Sequence, residues 1–288
     1  MSAEPWTLGR LLVWTSNFLK DKQADSPRLD AEVLLAHVVG CQRIALYTRF
    51  EEVASEEIRQ KYKELVKKRV DGCPVAYLVG FKEFYNLKFA VTPAVLIPRP
   101  ETELLVLEAI RIAKPMTSPR IVDVGTGSGA IALTLAKHLP HAKVTAIDIS
   151  PEALAVAQKN AEQLGLSSKV KFLQGDLLKP VISEVFDLVV SNPPYITSEV
   201  VKQLPINVRN FEPHLALDGG PTGLEVIERL LTEAKSVLVK GGHLLCEIGF
   251  DQGKTVVEVV EKVGGYGSVS VMPDQAGLPR LLKAIRQD

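Results

Sequence analysis

The sequence is poor in cysteine and has no pattern that would pair the few cysteines it contains. Its 288 residues include three cysteines, Cys41, Cys73 and Cys246, and no two of them form a C-x-x-C pair. An odd number of unpaired thiols is typical of a protein of the reducing cytosol and argues against a disulfide-stapled secreted domain. Cys246 lies within an apolar strand pattern, so we expect it in the core.

An excess of charge of one sign is also lacking. The sequence has 34 Lys and Arg residues against 34 Asp and Glu residues, which gives a formal net charge of zero and a pI near 7.0. Because nucleic-acid-binding proteins usually carry a strongly basic surface, we expect no direct nucleic-acid partner. The five histidines are scattered without the spacing of metal ligands, and we therefore expect no bound metal.

Long apolar runs are absent as well. No stretch is long enough to span a bilayer, and the first residues lack the basic-then-apolar pattern of a signal peptide. We therefore expect a soluble, cytoplasmic protein with no membrane partner. The length suits one small and one large domain, and we expect the protein to be a monomer.

The first third of the sequence has the apolar spacing of helices. Apolar residues from Leu8 to Leu19 recur at intervals of three and four. Ser26-Pro27 is typical of an N-cap followed by a proline in the first turn, and Gly40 is placed to end that helix. Ser55 is placed to open a third long helix. We predict that residues 1–73 form a small helical domain, suited to partner recognition and equally to packing alone.

Residues 74–96 differ in character from the helical region before them. The stretch Phe84–Phe89 favours two short strands around a turn, and we predict a β-hairpin linking two domains. In the following Pro98-Arg99-Pro100-Glu101-Thr102-Glu103, Pro100 is placed as the first residue of a helix, with acidic residues near the positive end of the helix. This stretch fits an ordinary helix start and the edge of a lid over a ligand site equally well.

From Arg120 onward, segments typical of strands and of helices alternate. The alternation predicts an α/β fold, with a mostly parallel, Rossmann-like sheet of seven strands whose last two form an antiparallel pair at one edge. We predict that this domain spans residues 97–288. The predicted strands are Ile121–Val124, Val144–Asp148, Val170–Leu173, Phe186–Val190, Leu244–Ile248, Val269–Met272 and Leu281–Ile285, and the predicted helices lie around 129–138, 151–164, 224–239 and 252–263.

A glycine-rich segment, Gly125-Thr126-Gly127-Ser128-Gly129, follows the first strand of this domain and opens a helix. Glycines let the backbone turn tightly and approach a ligand, while a helix start presents N–H groups. Asp148, at the end of the second strand, is the acidic residue expected at ribose hydroxyls, and Asp176, after the third, could accept from an adenine amino group. These features predict a nucleotide-type ligand and fit NAD and S-adenosylmethionine alike, although each aspartate also fits a plain cap or turn.

The stretch Ser191-Asn192-Pro193-Pro194-Tyr195 follows the apolar strand Phe186–Val190. Two prolines force a rigid, extended exit and supply no N–H, which leaves the carbonyls of Asn192 and Pro193 to accept hydrogen bonds. The Asn192 side chain adds an acceptor, and Tyr195 adds a flat face. Such a set suits a planar NH2 group, whose two protons meet two acceptors. Taken alone, a proline-stiffened turn with a capping asparagine explains the stretch equally well.

In the context of the glycine-rich segment, this stretch resembles class I methyltransferases that act on adenine or on a glutamine amide. Nearly end to end, the chain resembles the release factor glutamine methyltransferase family (the HemK/PrmC type). The combination of Pro98–Glu103 with Asn192–Tyr195 is the specific part. The other matching stretches are Pro27–Glu32, Gly72–Gly80, Glu83-Phe84, Leu96-Ile97, Asp123–Ala130, Asp148–Ser150, Ile196, Glu212-Pro213, Ala216–Leu224 and Glu247–Gly249.

The resemblance implies a methyl transfer from S-adenosyl-L-methionine to N5 of the glutamine in the Gly-Gly-Gln motif of class 1 peptide-chain release factors, which leaves S-adenosyl-L-homocysteine. By the same resemblance, Asn192-Pro193-Pro194-Tyr195 holds the substrate amide, and Asn192, Pro193 and Tyr195 are the catalytic residues. Asn86 stands where the family usually has glycine, and Thr222 where it often has an acidic residue. Both positions lie outside the expected cofactor contacts.

The cofactor residues that the resemblance implies are Gly125–Gly129, Asp148 and Asn192, with Leu177 against the adenine beside Asp176. The reaction implies neither a metal nor a covalent intermediate, because the sulfonium is already an activated methyl donor. An amide nitrogen is a poor nucleophile, so correct positioning is expected to supply much of the acceleration.

Three alternatives stay open at this point. The nearest is the related glutamine methyltransferase that acts on a ribosomal protein, against which Pro98–Glu103 favours the release factor type. An adenine-N6 DNA methyltransferase would extrude its base and would usually carry a basic recognition region, which the neutral charge disfavours. The non-enzyme alternative is a nucleotide-binding protein without catalysis, which a titration comparing S-adenosylmethionine with NAD would identify.

Overall fold

The computed structural model describes residues 5–287, and the contacts among them divide the chain into two compact units. The first unit comprises the described residues up to Gly80 together with Ile206–Phe211, and the second comprises Phe81–Pro205 and the described residues from Glu212 onward. Of the predicted segments 1–73, 74–96 and 97–288, the middle one is shared between the units: its residues up to Gly80 cluster with the first unit and those from Phe81 with the second.

The first unit is helical, as the apolar spacing predicted. The side chains of Thr7 and Ser55 cap two of its helices by accepting from backbone N–H groups. Pro27 occupies the first turn of another helix, which ends at Gly40 with a φ of 71°. The helices are α1 (Leu8–Asp21), α2 (Pro27–Val39), α3 (Ala45–Thr48), α4 (Glu56–Val70) and α5 (Val75–Val79). A short helix from the segment Ile206–Phe211 also belongs to this unit and is numbered in chain order below.

The predicted hairpin is present as β1 (Phe81–Phe84) and β2 (Leu87–Ala90), paired antiparallel. Its two turn residues, Tyr85 and Asn86, have φ values of 48° and 59°. Positive φ at both central positions defines a type I′ turn, and asparagine tolerates that conformation better than most residues. Phe84 and Phe89 are buried in a core of the second unit. The hairpin therefore packs within that unit.

A seven-stranded sheet forms the centre of the second unit. The order across the sheet is β5-β4-β3-β6-β7-β9-β8, where all neighbours are parallel except the pairs that include β9. The predicted mostly parallel sheet with an antiparallel edge pair is therefore confirmed. The strands are β3 (Arg120–Val124), β4 (Lys143–Asp148), β5 (Val170–Gln174), β6 (Phe186–Ser191), β7 (Leu238–Glu247), β8 (Tyr266–Pro273) and β9 (Pro279–Arg286).

Helices cover both faces of this sheet. Successive residues of β3 enter different apolar clusters: Ile121 joins the cluster that contains Phe84 and Phe89, while Val122 joins the other. Such two-sided burial is the reason why adjacent residues of β3 are both apolar. The helices from residue 103 onward are α6 (Glu103–Ala113), α7 (Ala130–His138), α8 (Pro151–Gln163), α9 (Ser198–Val201), α10 (Ile206–Arg209, in the first unit), α11 (Glu225–Val237) and α12 (Gly253–Val263).

One connection is shorter than the sequence predicted. Helix α11 ends at Val237 and β7 begins at Leu238, whereas the predicted helix reached 239 and the predicted strand began at Leu244. The pairing of β7 with β6 is irregular near its start, where Gly241 has a φ of 75°. The glycine absorbs this irregularity, so that the apolar residue Leu238 also enters the sheet and is fully buried.

The order of strands reverses between β3 and β6. From β3 the chain builds outward through β4 to β5, and it then returns to place β6 on the other side of β3. Ligands bind in open parallel sheets at the carboxyl ends of the strands where this reversal occurs. The glycine-rich segment follows β3 and the Asn-Pro-Pro-Tyr stretch follows β6, so the fold places both predicted motifs at this point.

A buried carboxyl fastens the loop that leaves β3. Asp123 is fully buried, and its Oδ2 accepts from the Thr126 hydroxyl at 2.7 Å and from the Ala132 N–H at 3.1 Å. Its other oxygen, Oδ1, is buried without a hydrogen-bond partner. Burial raises the pKa of Asp123 from 3.8 to about 7. The folded protein therefore holds the acid form of this side chain to a much higher pH than an unfolded chain does.

We expect Leu105→Ala to lower the free energy of unfolding by about 2–5 kcal/mol, because it opens a cavity in the core. Leu107 provides a matched control on the same helix: Leu105 is 1% exposed and Leu107 is 57% exposed. Leu107→Ala should change stability by less than about 0.5 kcal/mol. Urea denaturation followed by circular dichroism measures both, and equal effects would contradict the assigned burial of α6.

We expect stability to decline as pH rises from about 5 to about 8, and Asp123→Asn to reduce that decline. The folded pKa of Asp123 lies above its ordinary value, so the folded state binds more protons than the unfolded state between pH 4 and pH 7. Asparagine keeps the acceptor for Thr126 and cannot ionise. Denaturation of both proteins at the two pH values tests this expectation, which an identical decline in both would refute.

Candidate active site

A cavity of about 270 Å³ lies at the carboxyl ends of the parallel strands in the second unit. Its walls come from the segments that follow β3, β4, β5 and β6 and from the residues before α6. Gly129, Pro193 and Tyr195 do not line it. The predicted site residues that do line it are Gly125, Thr126, Gly127, Ser128, Asp148, Asp176, Leu177, Asn192 and Pro194.

The glycine-rich loop is held by its neighbour β4. The N–H groups of Gly125 and Thr126 both donate to the Ile147 carbonyl at 2.9 Å. Gly125 and Gly127 have φ values of 72° and 56°, which favour glycine. A Cβ at either glycine would meet no atom within 4 Å, since both face the cavity. The two glycines therefore keep space for a ligand directly against the backbone.

Asp148 ties the loop after β4 to the glycine-rich loop. Its Oδ2 accepts from the Gly127 N–H at 2.8 Å, and its Oδ1 accepts from the Ser150 N–H at 3.0 Å. Helix α8 is capped by Ser150, whose hydroxyl oxygen accepts from the Ala153 N–H. Asp148 is therefore not the cap, and it lines the cavity. Burial raises its pKa, whereas the backbone N–H groups act in the opposite direction.

Asp176 is engaged by two cations. Its Oδ2 accepts from Arg229 of α11 at 2.6 Å and from Lys179 at 2.7 Å, and hydrogen bonding to Lys179 is the main reason why its pKa is lowered. The sequence predicted an acceptor for an adenine amine and did not reveal these ion pairs. Leu177, the next residue, has a φ of 51°, a strained conformation for leucine that turns the chain at the cavity wall.

The Asn192 side chain is fixed in one orientation. Ser191 fastens the end of β6 by donating its hydroxyl to the Val124 carbonyl at 2.7 Å. Asn192 Nδ2 donates to Thr102 Oγ1 at 3.1 Å. Because the amide nitrogen is directed at Thr102, Asn192 Oδ1 lies on the opposite side of the amide group. Asn192 lines the cavity, and its contact with Thr102 leaves Oδ1 available as an acceptor.

Glu247, at the end of β7, receives two hydroxyl groups. Thr102 donates to Oε2 at 2.6 Å, and Tyr195 donates to Oε1 at 3.2 Å. Glu247 is 2% exposed, and burial raises its pKa and that of Tyr195. The Tyr195 ring packs partly buried against an apolar cluster. The hydroxyl of Tyr195 is therefore directed into the domain, not into the cavity.

The stretch from Pro98 to Glu103 is both a helix start and part of the cavity wall. Pro100 opens a 3-10 turn that runs into α6, which confirms its predicted place at a helix start. Arg99 lines the cavity and forms an ion pair with the buried Glu212, whose other oxygen accepts from the Ile97 N–H at 3.1 Å. Glu103 accepts from the Tyr85 N–H at 2.9 Å. These contacts hold the stretch against the hairpin turn and the segment that contains Glu212.

Sequence reasoning did not assign roles to Thr102, Glu212 or Glu247. Glu247 had a usable signal, because a charged residue that ends a buried parallel strand lies at the edge where ligands bind. Its neighbour Cys246 pairs in register with Ser191, which places Glu247 beside Asn192. Thr102 and Glu212 gave no comparable signal, since their partners are 145 and 113 residues away along the chain.

Among residues 5–287, no three His, Cys, Asp or Glu side chains are grouped so as to hold a metal ion. In the same residues, no helix has both the length and the apolar character needed to cross a membrane.

Comparison with family models divides the chain at similar places. Residues 10–80 match the PrmC N-terminal domain, and residues 117–263 match a methyltransferase domain. The crystal structure of a methyltransferase from Pyrococcus furiosus superposes with a TM-score of 0.51 at 22% identity, covering 72% of this chain and 92% of that one. At that identity the likeness concerns the fold alone, and it agrees with the predicted Rossmann-like class.

Curated relatives match almost the whole chain. A release factor glutamine methyltransferase of Rhodopirellula baltica is 48% identical over 285 residues, which is 96% of this chain and 96% of that protein. Another, from Moorella thermoacetica, is 47% identical over 264 residues, covering 92% and 93% of the two chains. With the N-terminal and methyltransferase domains both matched, the chain belongs to the release factor glutamine methyltransferase family.

Proposed function

We propose that this protein transfers a methyl group from S-adenosyl-L-methionine to the side-chain amide nitrogen of the glutamine in the Gly-Gly-Gln motif of class 1 release factors. The observation that carries the proposal is the fixed Asn192 amide at the cavity wall, opposite the glycine-rich loop across the strand reversal. We further propose that the reaction takes place in the cytoplasm, that the enzyme is a monomer, and that the N-terminal helical unit helps to recognise the release factor.

The residues around the cavity fit S-adenosyl-L-methionine. The open positions above Gly125 and Gly127 leave room for a ligand against the loop. Asp148 supplies carboxylate oxygens suited to ribose hydroxyls, while Leu177 and Ile149 supply apolar surface suited to adenine. When bound, the cofactor supplies an activated methyl group on a sulfonium. We assign Gly125–Gly129, Asp148, Asp176, Leu177 and Asn192 to its binding.

The task of the protein is then to position a weak nucleophile. The lone pair of an amide nitrogen is shared with its carbonyl group, so the NH2 group must be held with that lone pair toward the methyl donor. We assign this to Asn192 Oδ1 and the Pro193 carbonyl, which accept the two amide protons. Holding the reacting atoms at about 3–3.5 Å removes a large entropic part of the barrier.

The surrounding residues keep this arrangement rigid. Pro193 and Pro194 stiffen the backbone that carries the two acceptors. Tyr195 anchors the segment through its bond to Glu247, and we assign to its ring the flat face beside the amide plane. The nitrogen becomes acidic as it gains the methyl group, so a water molecule is a sufficient acceptor for its proton. Neither a strong base nor a metal is needed for this sequence of events.

We expect one added methyl group on the Gly-Gly-Gln glutamine when a purified class 1 release factor is incubated with this protein and S-adenosyl-L-methionine. Asn192→Ala should reduce the single-turnover rate by at least about a hundredfold, because it removes an acceptor from the amide site. Mass spectrometry of the tryptic peptides measures both results. A release factor with alanine at that glutamine is the control for the modified position.

The same assay distinguishes the alternatives. A methyl group on a ribosomal protein, with none on the release factor, would assign the related glutamine methyltransferase activity. Methylation of duplex DNA alone would assign the adenine-N6 activity. Calorimetric binding of NAD without binding of S-adenosyl-L-methionine would favour a nucleotide-binding protein without catalysis. Each of these results would overturn the proposed function.

We expect Gly125→Ala to weaken binding of S-adenosyl-L-methionine by at least about tenfold, or about 1.4 kcal/mol, because the added methyl enters the cofactor space. Gly40→Ala is the matched control. Both glycines have a φ near 70° and open space above them, but Gly40 ends α2 outside the cavity. Both variants should lose about 1 kcal/mol of stability from left-handed strain. Calorimetric titration separates the two effects, and equal cofactor affinities would contradict the assignment.

A further inference from the structure

Three hydrogen bonds in the second unit form a chain that ends at the substrate side of the cavity. Tyr195 and Thr102 donate to the carboxylate of Glu247, and Asn192 Nδ2 donates to Thr102 Oγ1. Thr102 and Asn192 line the cavity, whereas Glu247 lies behind them. The four side chains come from three places in the sequence, namely the start of α6, the segment after β6 and the end of β7.

The direction of each bond in this chain is set by its neighbour. Glu247 accepts one hydroxyl hydrogen on each carboxyl oxygen, from Tyr195 on Oε1 and from Thr102 on Oε2, so the Thr102 hydrogen is directed at Glu247. The Thr102 oxygen then has only its lone pairs to offer to Asn192, and a lone pair is satisfied by an NH2 group and not by a carbonyl oxygen. The Asn192 amide is therefore restricted to the orientation with Nδ2 at Thr102 and Oδ1 on its opposite side.

We propose that Glu247 and Thr102 are positioning residues that fix Asn192 with its oxygen toward the substrate, and so select an NH2 group over a carboxylate. The proposal deepens the proposed function and rests on it. Asn192 Oδ1 can accept a proton from the amide group of glutamine. A glutamate carboxylate has no such proton, and its oxygen would lie against the Asn192 oxygen. A freely rotating asparagine could present its NH2 group instead and would lose this discrimination.

Burial strengthens this chain of hydrogen bonds. Thr102 is 4% exposed, so its hydroxyl group is largely shielded from water. Removal of that hydroxyl leaves the Asn192 NH2 group and one Glu247 oxygen without their partner, and either loss favours rotation of the Asn192 amide. A merely structural role for Thr102 would instead lower stability and leave the choice between glutamine and glutamate unchanged.

The test compares Thr102→Val with Thr102→Ser and with a matched control. Valine removes the hydroxyl at nearly constant shape, and serine keeps it. Thr134 is fully buried in α7 and its hydroxyl donates to the Ala130 carbonyl of its own helix, so Thr134→Val removes an equally buried hydroxyl outside the chain of bonds. The measurements are kcat and KM with the release factor, the dissociation constant of S-adenosyl-L-methionine, and thermal stability.

We expect Thr102→Val to lower kcat by about 10–100-fold, which corresponds to one unsatisfied buried polar group. Thr102→Ser and Thr134→Val should stay within about threefold of the wild type. Glu247→Gln should also lower kcat, since the NH2 group of the new glutamine would compete with that of Asn192 for the Thr102 oxygen. The double variant with Thr102→Val should be no slower than Thr102→Val alone, because both changes act through one hydroxyl.

A second readout addresses selection directly. Calorimetry compares the release factor with one in which the Gly-Gly-Gln glutamine is replaced by glutamate. The wild type should bind the glutamine form more tightly, and Thr102→Val should reduce this preference by about tenfold. If the wild type is active and Thr102→Val leaves both kcat and the preference for glutamine over glutamate unchanged, this inference alone is overturned. The same holds if the kcat loss of the double variant equals the product of the two single losses. A wild type that leaves the release factor unmethylated would overturn the proposed function and this inference with it.

Discussion

The reversal of strand order between β3 and β6 is the constraint on which the site depends. In a parallel sheet, all carboxyl ends lie at one edge, and the reversal opens a crevice there between neighbouring strands. The glycine-rich loop leaves β3 on one side, and the Asn-Pro-Pro-Tyr segment leaves β6 on the other. The bond from Ser191 Oγ to the Val124 carbonyl joins the two strand ends directly. A methyl donor and its acceptor can therefore be held by adjacent strands of one rigid sheet.

Buried acids at this edge serve mainly to fix other groups. Asp123 holds Thr126 and the start of α7, Asp148 holds the backbone of Gly127, and Glu247 holds two hydroxyls. Each carboxyl has a pKa raised by burial, which is the cost of placing it there. Fixed hydrogen bonds in a water-poor site spare the reorganisation that solvent would otherwise undergo during the reaction. The arrangement suits an enzyme whose contribution is positioning.

The sequence was sufficient to predict the sheet, its main helices and nine residues that line the cavity, because apolar periodicity and turn chemistry are local signals. It was not sufficient where a partner lies far along the chain. Asp176 was predicted as an acceptor for an adenine amine, and the sequence did not reveal the ion pair with Arg229, which α11 brings to it. The hairpin itself was predicted, but the sequence did not reveal the burial of Phe84 and Phe89 in a core of the second unit. Tyr195 was predicted to offer its ring to the amide, and the sequence did not reveal the hydrogen bond from its hydroxyl to Glu247.

These differences share a physical cause that also explains how the site works. Proline stiffness in Asn192–Tyr195 is a local property, yet stiffness alone leaves the Asn192 amide free to rotate by 180°, since its two ends have the same shape. Only a directional partner can choose between the two orientations, and that partner, Thr102, comes from 90 residues away. The motif supplies the acceptor, and the fold supplies its direction. A glutamine amide is recognised by hydrogen-bond polarity more than by shape, so the residues that set polarity belong to the site even where they touch no ligand.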